Sequence, residues 1–280
     1  MKTVLVPIDF SAASENAVEY TSNLIKDIPV DRVILLNSYF ISTYTQVVPL
    51  AESSQFTTGD MQAERQEMEL QLEELGARMD ELCGASVQVI TQVSELPLLR
   101  AIHETVRLEQ VELLILGSDD KSSANQSLIG RQLIPIAKAS RIPVLIVPSN
   151  VSYQKIERAL IPCTLETIKR LNLLNKHQHI ALWRQAELTL LNVNPSEKLN
   201  WEDSGLINGI KALLSDYTYQ LQESDTPSII HALHNYTEAH PVNLIFALSG
   251  KESFFHSLTH KNITDAIALS ARQPVLLLKP

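Results

Sequence analysis

Two stretches decide the fold: VLVPIDFS at residues 4–11 and RALIPCTL at residues 158–165. Each is a short apolar run that ends in polar residues, and the two superpose at a shift of 155 with Pro7 opposite Pro162. The same shift lays Leu35-Leu36-Asn37, inside RVILLNS (32–38), on Leu190-Leu191-Asn192. Farther along the chain the shift becomes 131 and holds without a gap. It pairs Ala101 with Ala232, His103 with His234, Leu113 with Leu244 and Ser118 with Ser249, and sets Pro143-Val144-Leu145 over Pro274-Val275-Leu276. The drop from 155 to 131 makes the second copy 24 residues shorter, with the loss between its second and third strands. Self-similarity of this kind marks a tandem duplication. The halves divide at 1–150 and 151–280, in keeping with two domains for a chain of 280 residues.

The remaining apolar runs of the first half are VELLILGS (111–118) and PVLIVPS (143–149), and SVQVITQV (86–93) alternates as a strand does. Near-continuous Val, Ile and Leu indicate strands buried on both faces, as in a parallel sheet covered by helices. Helical periodicity lies between them. Ser11 is placed to cap a helix over 11–25 that carries Ala17, Val18, Tyr20, Thr21 and Leu24 on one side. Met68, Leu72, Leu75, Met79 and Leu82 form a stripe over 61–82 that predicts a helix covering the sheet, and 98–110 and 132–140 supply two more. Each half therefore reads as an open, doubly wound α/β domain of five parallel strands, Rossmann-like in its alternation.

The formal charge is −9, and it is not evenly spread. Residues 1–150 hold 11 Lys+Arg against 20 Asp+Glu, while 151–280 hold 12 of each, and seven of the eight histidines lie in the second half. An acidic chain lacks the basic face that nucleic acid or an anionic membrane requires. No apolar run is long enough for a membrane span. The start Met1-Lys2-Thr3 enters its first strand without the apolar core of a secretory signal, and Cys83 and Cys163 stand in neither a disulfide nor a zinc spacing. The expected location is the cytoplasm.

In an open parallel sheet, ligands bind beyond the carboxyl ends of the strands. That rule selects Pro7, Ile8 and Asp9 after strand one, Asn37 and Ser38 after strand two, and Gly117-Ser118-Asp119-Asp120 after strand four. It also selects the next helix start, near Gly130, Arg131 and Gln132. A carboxylate there can accept from a ribose or an amino group, a glycine admits a ligand to the backbone, and a helix N-terminus offers amides to phosphate.

These residues resemble the universal stress protein family, through VLVPIDFS, VILLNS, VELLILGS and IAKASRIPVLIVPS (136–149), over essentially the whole chain as two tandem domains. The resemblance implies an adenine nucleotide alpha hydrolase-like fold and a stress-response or signalling module that is not an enzyme. It implies ATP or AMP as ligand in the first domain, with Asp9 contacting the nucleoside. The family's nucleotide motif, G-x2-G-x9-G-[ST], is matched by Gly117 and Gly130. It is broken by Asp120 at the second glycine and by Arg131 at the Ser/Thr position. Asp120 sets a charge beside the phosphate path, while Arg131 offers a cation. In the second half Thr164, Leu248, Lys251, Lys261 and Asn262 stand where Asp9, Gly117, Asp120, Gly130 and Arg131 stand in the first, so that motif is lost. The family association through the last strand implies a pseudo-dimer within the chain or a homodimer between chains. Two other readings are a nucleotide-free interaction scaffold with both sites degenerate, and a slow ATPase.

His231, His234 and Glu238 share one helix face at a spacing that zinc also uses, but the expected role is an exposed face and no metal is predicted. His256 and His260 in SFFHSLTHK are similarly placed, and Cys163 reads as a buried small hydrophobe.

Overall fold

The computed structural model describes residues 2–40, 58–119, 127–180, 182–192, 204–226, 229–248 and 272–280. The first half runs β1 (Thr3–Ile8), α1 (Ala12–Leu24), β2 (Arg32–Ser38), α2 (Thr58–Cys83), β3 (Gln88–Ser94), α3 (Leu98–Leu108), β4 (Val111–Ser118), α4 (Leu128–Ala139) and β5 (Val144–Pro148). The second half runs β6 (Arg158–Cys163), α5 (Leu165–Ile168), α6 (Asn172–Lys176), β7 (Glu187–Asn192), α7 (Ser204–Leu213), β8 (Tyr219–Glu223), α8 (Ile229–Ala239), β9 (Leu244–Leu248) and β10 (Val275–Leu278). A single 3-10 turn at Gln178–Ile180 precedes β7.

The ten strands among the described residues join one sheet in the order β3-β2-β1-β4-β5-β10-β9-β6-β7-β8. Each half keeps the doubly wound order 3-2-1-4-5, and the two meet where β5 pairs antiparallel with β10, Leu145 opposite Leu276. Every other pairing is parallel. The duplication is visible in the register itself. Ile8 lies opposite Asn37 in β1–β2, and Cys163 opposite Asn192 in β6–β7, the same pairing displaced by 155. Leu113 faces Val4 and Leu244 faces Ala159, which reproduces both shifts at once.

Alternate residues of each strand feed opposite faces, as the pleat requires. Val4, Val6 and Ile8 enter a core layer with Ala17, Val18 and Leu24 of α1 and Leu72, Leu75 and Met79 of α2. Leu5 enters the other layer with Ala101 and Ile102 of α3 and Leu133 and Ile136 of α4. The first layer continues without a break into the second half through Leu145, Val147, Leu276 and Leu278 to Trp183 and Phe246, whose rings meet edge to face at 5.3 Å.

Three expectations need correction. The 61–82 stripe is buried at Leu72, Leu75 and Met79, but Leu82 is 53% exposed and lines an open groove with Val18 and Glu19 of α1. The helix expected near Gly130 opens earlier, at Leu128, since the Ser127 hydroxyl accepts from the Gly130 amide and supplies the cap. In the second half α5 and α6, of four and five residues, stand where the first half has the thirteen-residue α1. The segments expected to hold Asp120, Lys251, His256, His260, Lys261 and Asn262 lie outside the described residues.

The connection between halves is tied to α1. Asn16 Nδ2 donates to the carbonyls of Pro148 and Val151 at 2.7 and 3.0 Å. The Tyr153 hydroxyl donates to Asp27 at 2.6 Å while its ring meets Tyr20 edge to face. Across the joint, Lys279 Nζ donates to the carbonyls of Ala137, Lys138 and Ser140, so a cation from the second half closes the C-terminal end of α4.

Candidate functional site

The chain reverses its winding direction between β1 and β4, so the cleft of the first half opens where β1 ends at Ile8 and β4 at Ser118. Ile8 is 1% exposed and its side chain belongs to the core, and Pro7 is likewise buried in β1. Phe10 takes a left-handed φ of 56°, a conformation that costs a non-glycine residue about 1 kcal/mol or more. That bend turns the Asp9 carboxylate back over the start of α1. Its Oδ1 accepts from the Ser11 hydroxyl at 2.6 Å and from the Ser11 amide at 3.2 Å. Ser11 in turn accepts from the Ser14 amide and caps α1.

The other oxygen of Asp9 reaches across the cleft. Oδ2 accepts from the Ile129 amide in the first turn of α4 at 2.8 Å. A second carboxylate joins it: Asp119 Oδ2 accepts from the Ser127 amide at 2.9 Å and from the Ser127 hydroxyl at 2.7 Å. The positive end of α4, which would receive a phosphate, is thus satisfied from within by two acids. The sequence reading put weight on Asp120. It named Asp119 only as part of the turn after strand four and missed Ser127, although a serine three residues before Gly130 is a capping signal.

Both motif glycines stand where a side chain would collide with its neighbours. A Cβ on Gly117 would overlap the Ala13 carbonyl of α1, so the glycine lets α1 lie directly on β4. A Cβ on Gly130 would overlap the Asp119 carboxylate and crowd the Ser127 hydroxyl. Arg131 is exposed and Gln132 half-buried on the same first turn. Ser38 faces away from this cluster and donates to the Leu96 carbonyl at 2.7 Å. Asn37 is buried and donates from Nδ2 to the Ile8 carbonyl at 2.9 Å. Its Oδ1 and the Ser118 hydroxyl, both buried at the carboxyl edge of the sheet, have no partner among the described residues.

In the second half, Cys163 stands at the position of Ile8, wholly buried, with Sγ on the Ile161 carbonyl at 3.3 Å. Burial pushes its thiol well up, away from the reactive thiolate. Glu238 bridges His234 Nδ1 at 3.2 Å and Arg272 at 2.8 Å, while His231 is exposed. Among the described residues no group of three His, Cys, Asp or Glu side chains is placed to hold a metal, and no helix is long and apolar enough to cross a membrane.

The sheet order and its switch point define a doubly wound α/β protein with a cleft at the carboxyl ends of β1 and β4. The family model described as "Universal stress protein family" matches residues 1–148, and the chain belongs to that family. Solved structures extend the likeness in fold to both halves. A universal stress protein from Archaeoglobus fulgidus DSM 4304 is 14% identical with a TM-score of 0.64, over 99% of this chain and 96% of that one. A putative universal stress protein from Pseudomonas aeruginosa UCBPP-PA14 is 13% identical with a TM-score of 0.56, over 100% and 94%. A search of curated proteins returns no match.

Proposed function

We propose that this chain is a non-catalytic stress-response module, with one domain over 1–150 and a second over 151–280, whose first-domain cleft is closed to nucleotide phosphates by its own acids. One observation carries the reading: Asp9 and Asp119 occupy the amides and the capping hydroxyl at the start of α4. A phosphate entering there would displace two charge-assisted hydrogen-bond sets and then face both carboxylates. The first half's excess of 20 acids over 11 bases opposes it further. Calorimetric titration of the full chain with ATP, ADP and AMP tests this. No saturation is expected up to about 1 mM, the concentration at which only some 4 kcal/mol of binding is needed. Saturable binding of any of the three below that level overturns it, and phosphate release above a protein-free control overturns the non-catalytic part.

A second reading, an adenine nucleotide held around Asp9, Ser38, Gly117, Gly130, Arg131 and Gln132, draws support from two orphaned atoms. Asn37 Oδ1 and Ser118 Oγ are buried at the cleft edge without partners among the described residues, and buried polar atoms ordinarily find one. Under this reading Asp9→Ala abolishes binding of AMP.

A further inference from the structure

The two copies differ at one matched triplet on the opposite face of the sheet from α2. In the second half Glu238 sits between His234 and Arg272 and pairs with both. The repeat shift of 131 puts His103, Arg107 and Arg141 at those three positions in the first half. The central carboxylate has become a guanidinium, and the same constellation is left with three basic side chains. Neighbouring acids do not compensate. Glu104 is engaged by Arg100 at 3.7 Å and Glu109 by Arg32 at 2.9 Å. Among the described residues, no carboxylate pairs with His103, Arg107 or Arg141.

These three groups rim a groove between α3 and α4 of about 390 Å³. Its wall is aliphatic, with Leu99, Val106 and Ile136 beneath the cations. That volume lies in the range of small-molecule sites, and an apolar floor with a few convergent charges is the usual composition of one. A guanidinium pair recognises the planar, two-oxygen geometry of a carboxylate, the group that the sister copy supplies from its own helix. The one uncharged polar side chain of the lining, Ser140, already donates its hydroxyl to the Ile142 carbonyl at 2.9 Å, which leaves little to satisfy a sugar or a base.

We propose that this groove binds a small-molecule carboxylate with an aliphatic body of medium length, its head group on Arg107, Arg141 and His103 and its chain along Leu99, Val106 and Ile136. Octanoate is the probe, with octanol as the uncharged control, titrated calorimetrically into the full chain. Octanoate is expected to bind saturably and octanol not to bind over the same range. Arg107→Glu installs the sister copy's carboxylate at i+4 from His103 and is expected to weaken octanoate at least about tenfold, the worth of a charge-assisted contact. Arg141→Gln is the second variant, expected to weaken it in the same direction, and decides the matter if thermal melting shows Arg107→Glu to be misfolded. The proposal is overturned if octanoate fails to bind at about 10 mM, if octanol binds equally well, or if a folded variant keeps the wild-type affinity.

Discussion

At the carboxyl end of β4 the first half places Gly117, pressed against the Ala13 carbonyl of α1; at the matching end of β9 the second half places Leu248, 1% exposed in the core. One position, two opposite solutions. The thirteen-residue α1 lies along β4 and leaves no room for a side chain, whereas α5 in the second half is a single short turn and a leucine occupies the position. Strand register is common to the copies while the connections above the strands are not. Packing on α1 is therefore reason enough for a glycine at position 117.

The comparison can be attacked first at that pair. Leu248→Ala is expected to cost about 3 kcal/mol through a core cavity, and Gly117→Ala about 2 kcal/mol through overlap with α1. Urea unfolding measures both, and a neutral Gly117→Ala would break the packing account of that glycine. Next in size is Lys279→Met, which removes the donors that close α4 from the other half. It should cost about 1–2 kcal/mol and lower the unfolding midpoint, because a partly buried cation at a helix C-terminus is worth that much. Asp119→Ala should cost about 1 kcal/mol, the usual value of a group bracing a cap, as read by thermal melting. Under the closed-cleft reading the same variant gains affinity for AMP, and an unchanged titration would argue that Asp119 does not guard the cleft.

The smallest effect concerns how each half ties down the end of its last strand. Asn16 holds the Pro148 carbonyl, and His177 Nε2 meets the Lys279 carbonyl at 2.9 Å. Only the second tie titrates. Burial holds His177 below the usual 6.5, with Lys176 and His179 acting the same way against the pull of the Lys279 carbonyl. The unfolded chain then binds the proton more readily, so stability is full above the unfolded value and falls as pH drops through the folded one. Melting from about pH 7 to about pH 5 should fall more steeply for wild type than for His177→Gln.

Much of the fold was legible because doubly buried strands must be written in Val, Ile and Leu, and a duplicated register survives divergence in those runs. The pairing of Ile8 with Asn37 and of Cys163 with Asn192 was implicit in a single shift of 155. Less of the site was legible. Nothing in the spacing says that Asp119 closes on Ser127, since that bond depends on how the chain between them returns to α4. Nor does a glycine reveal whether a ligand or Ala13 is the neighbour that excludes its side chain. Leu82 misled because periodicity marks a helix face but not how far along the helix that face stays covered.

The antiparallel seam between β5 and β10 has a consequence for how the protein responds to dilution. Two separate five-stranded sheets that met along this edge would part as their concentration fell. Here the partner edge is supplied by the same chain, at an effective concentration set by the short connection that Asn16 and Tyr153 hold in place. Assembly of the ten-stranded sheet is a unimolecular event, and this seam by itself adds no dependence of the unfolding midpoint on how much protein is present. Duplication has also consumed both inner edges, so among the described residues β3 and β8 are the edges of the sheet.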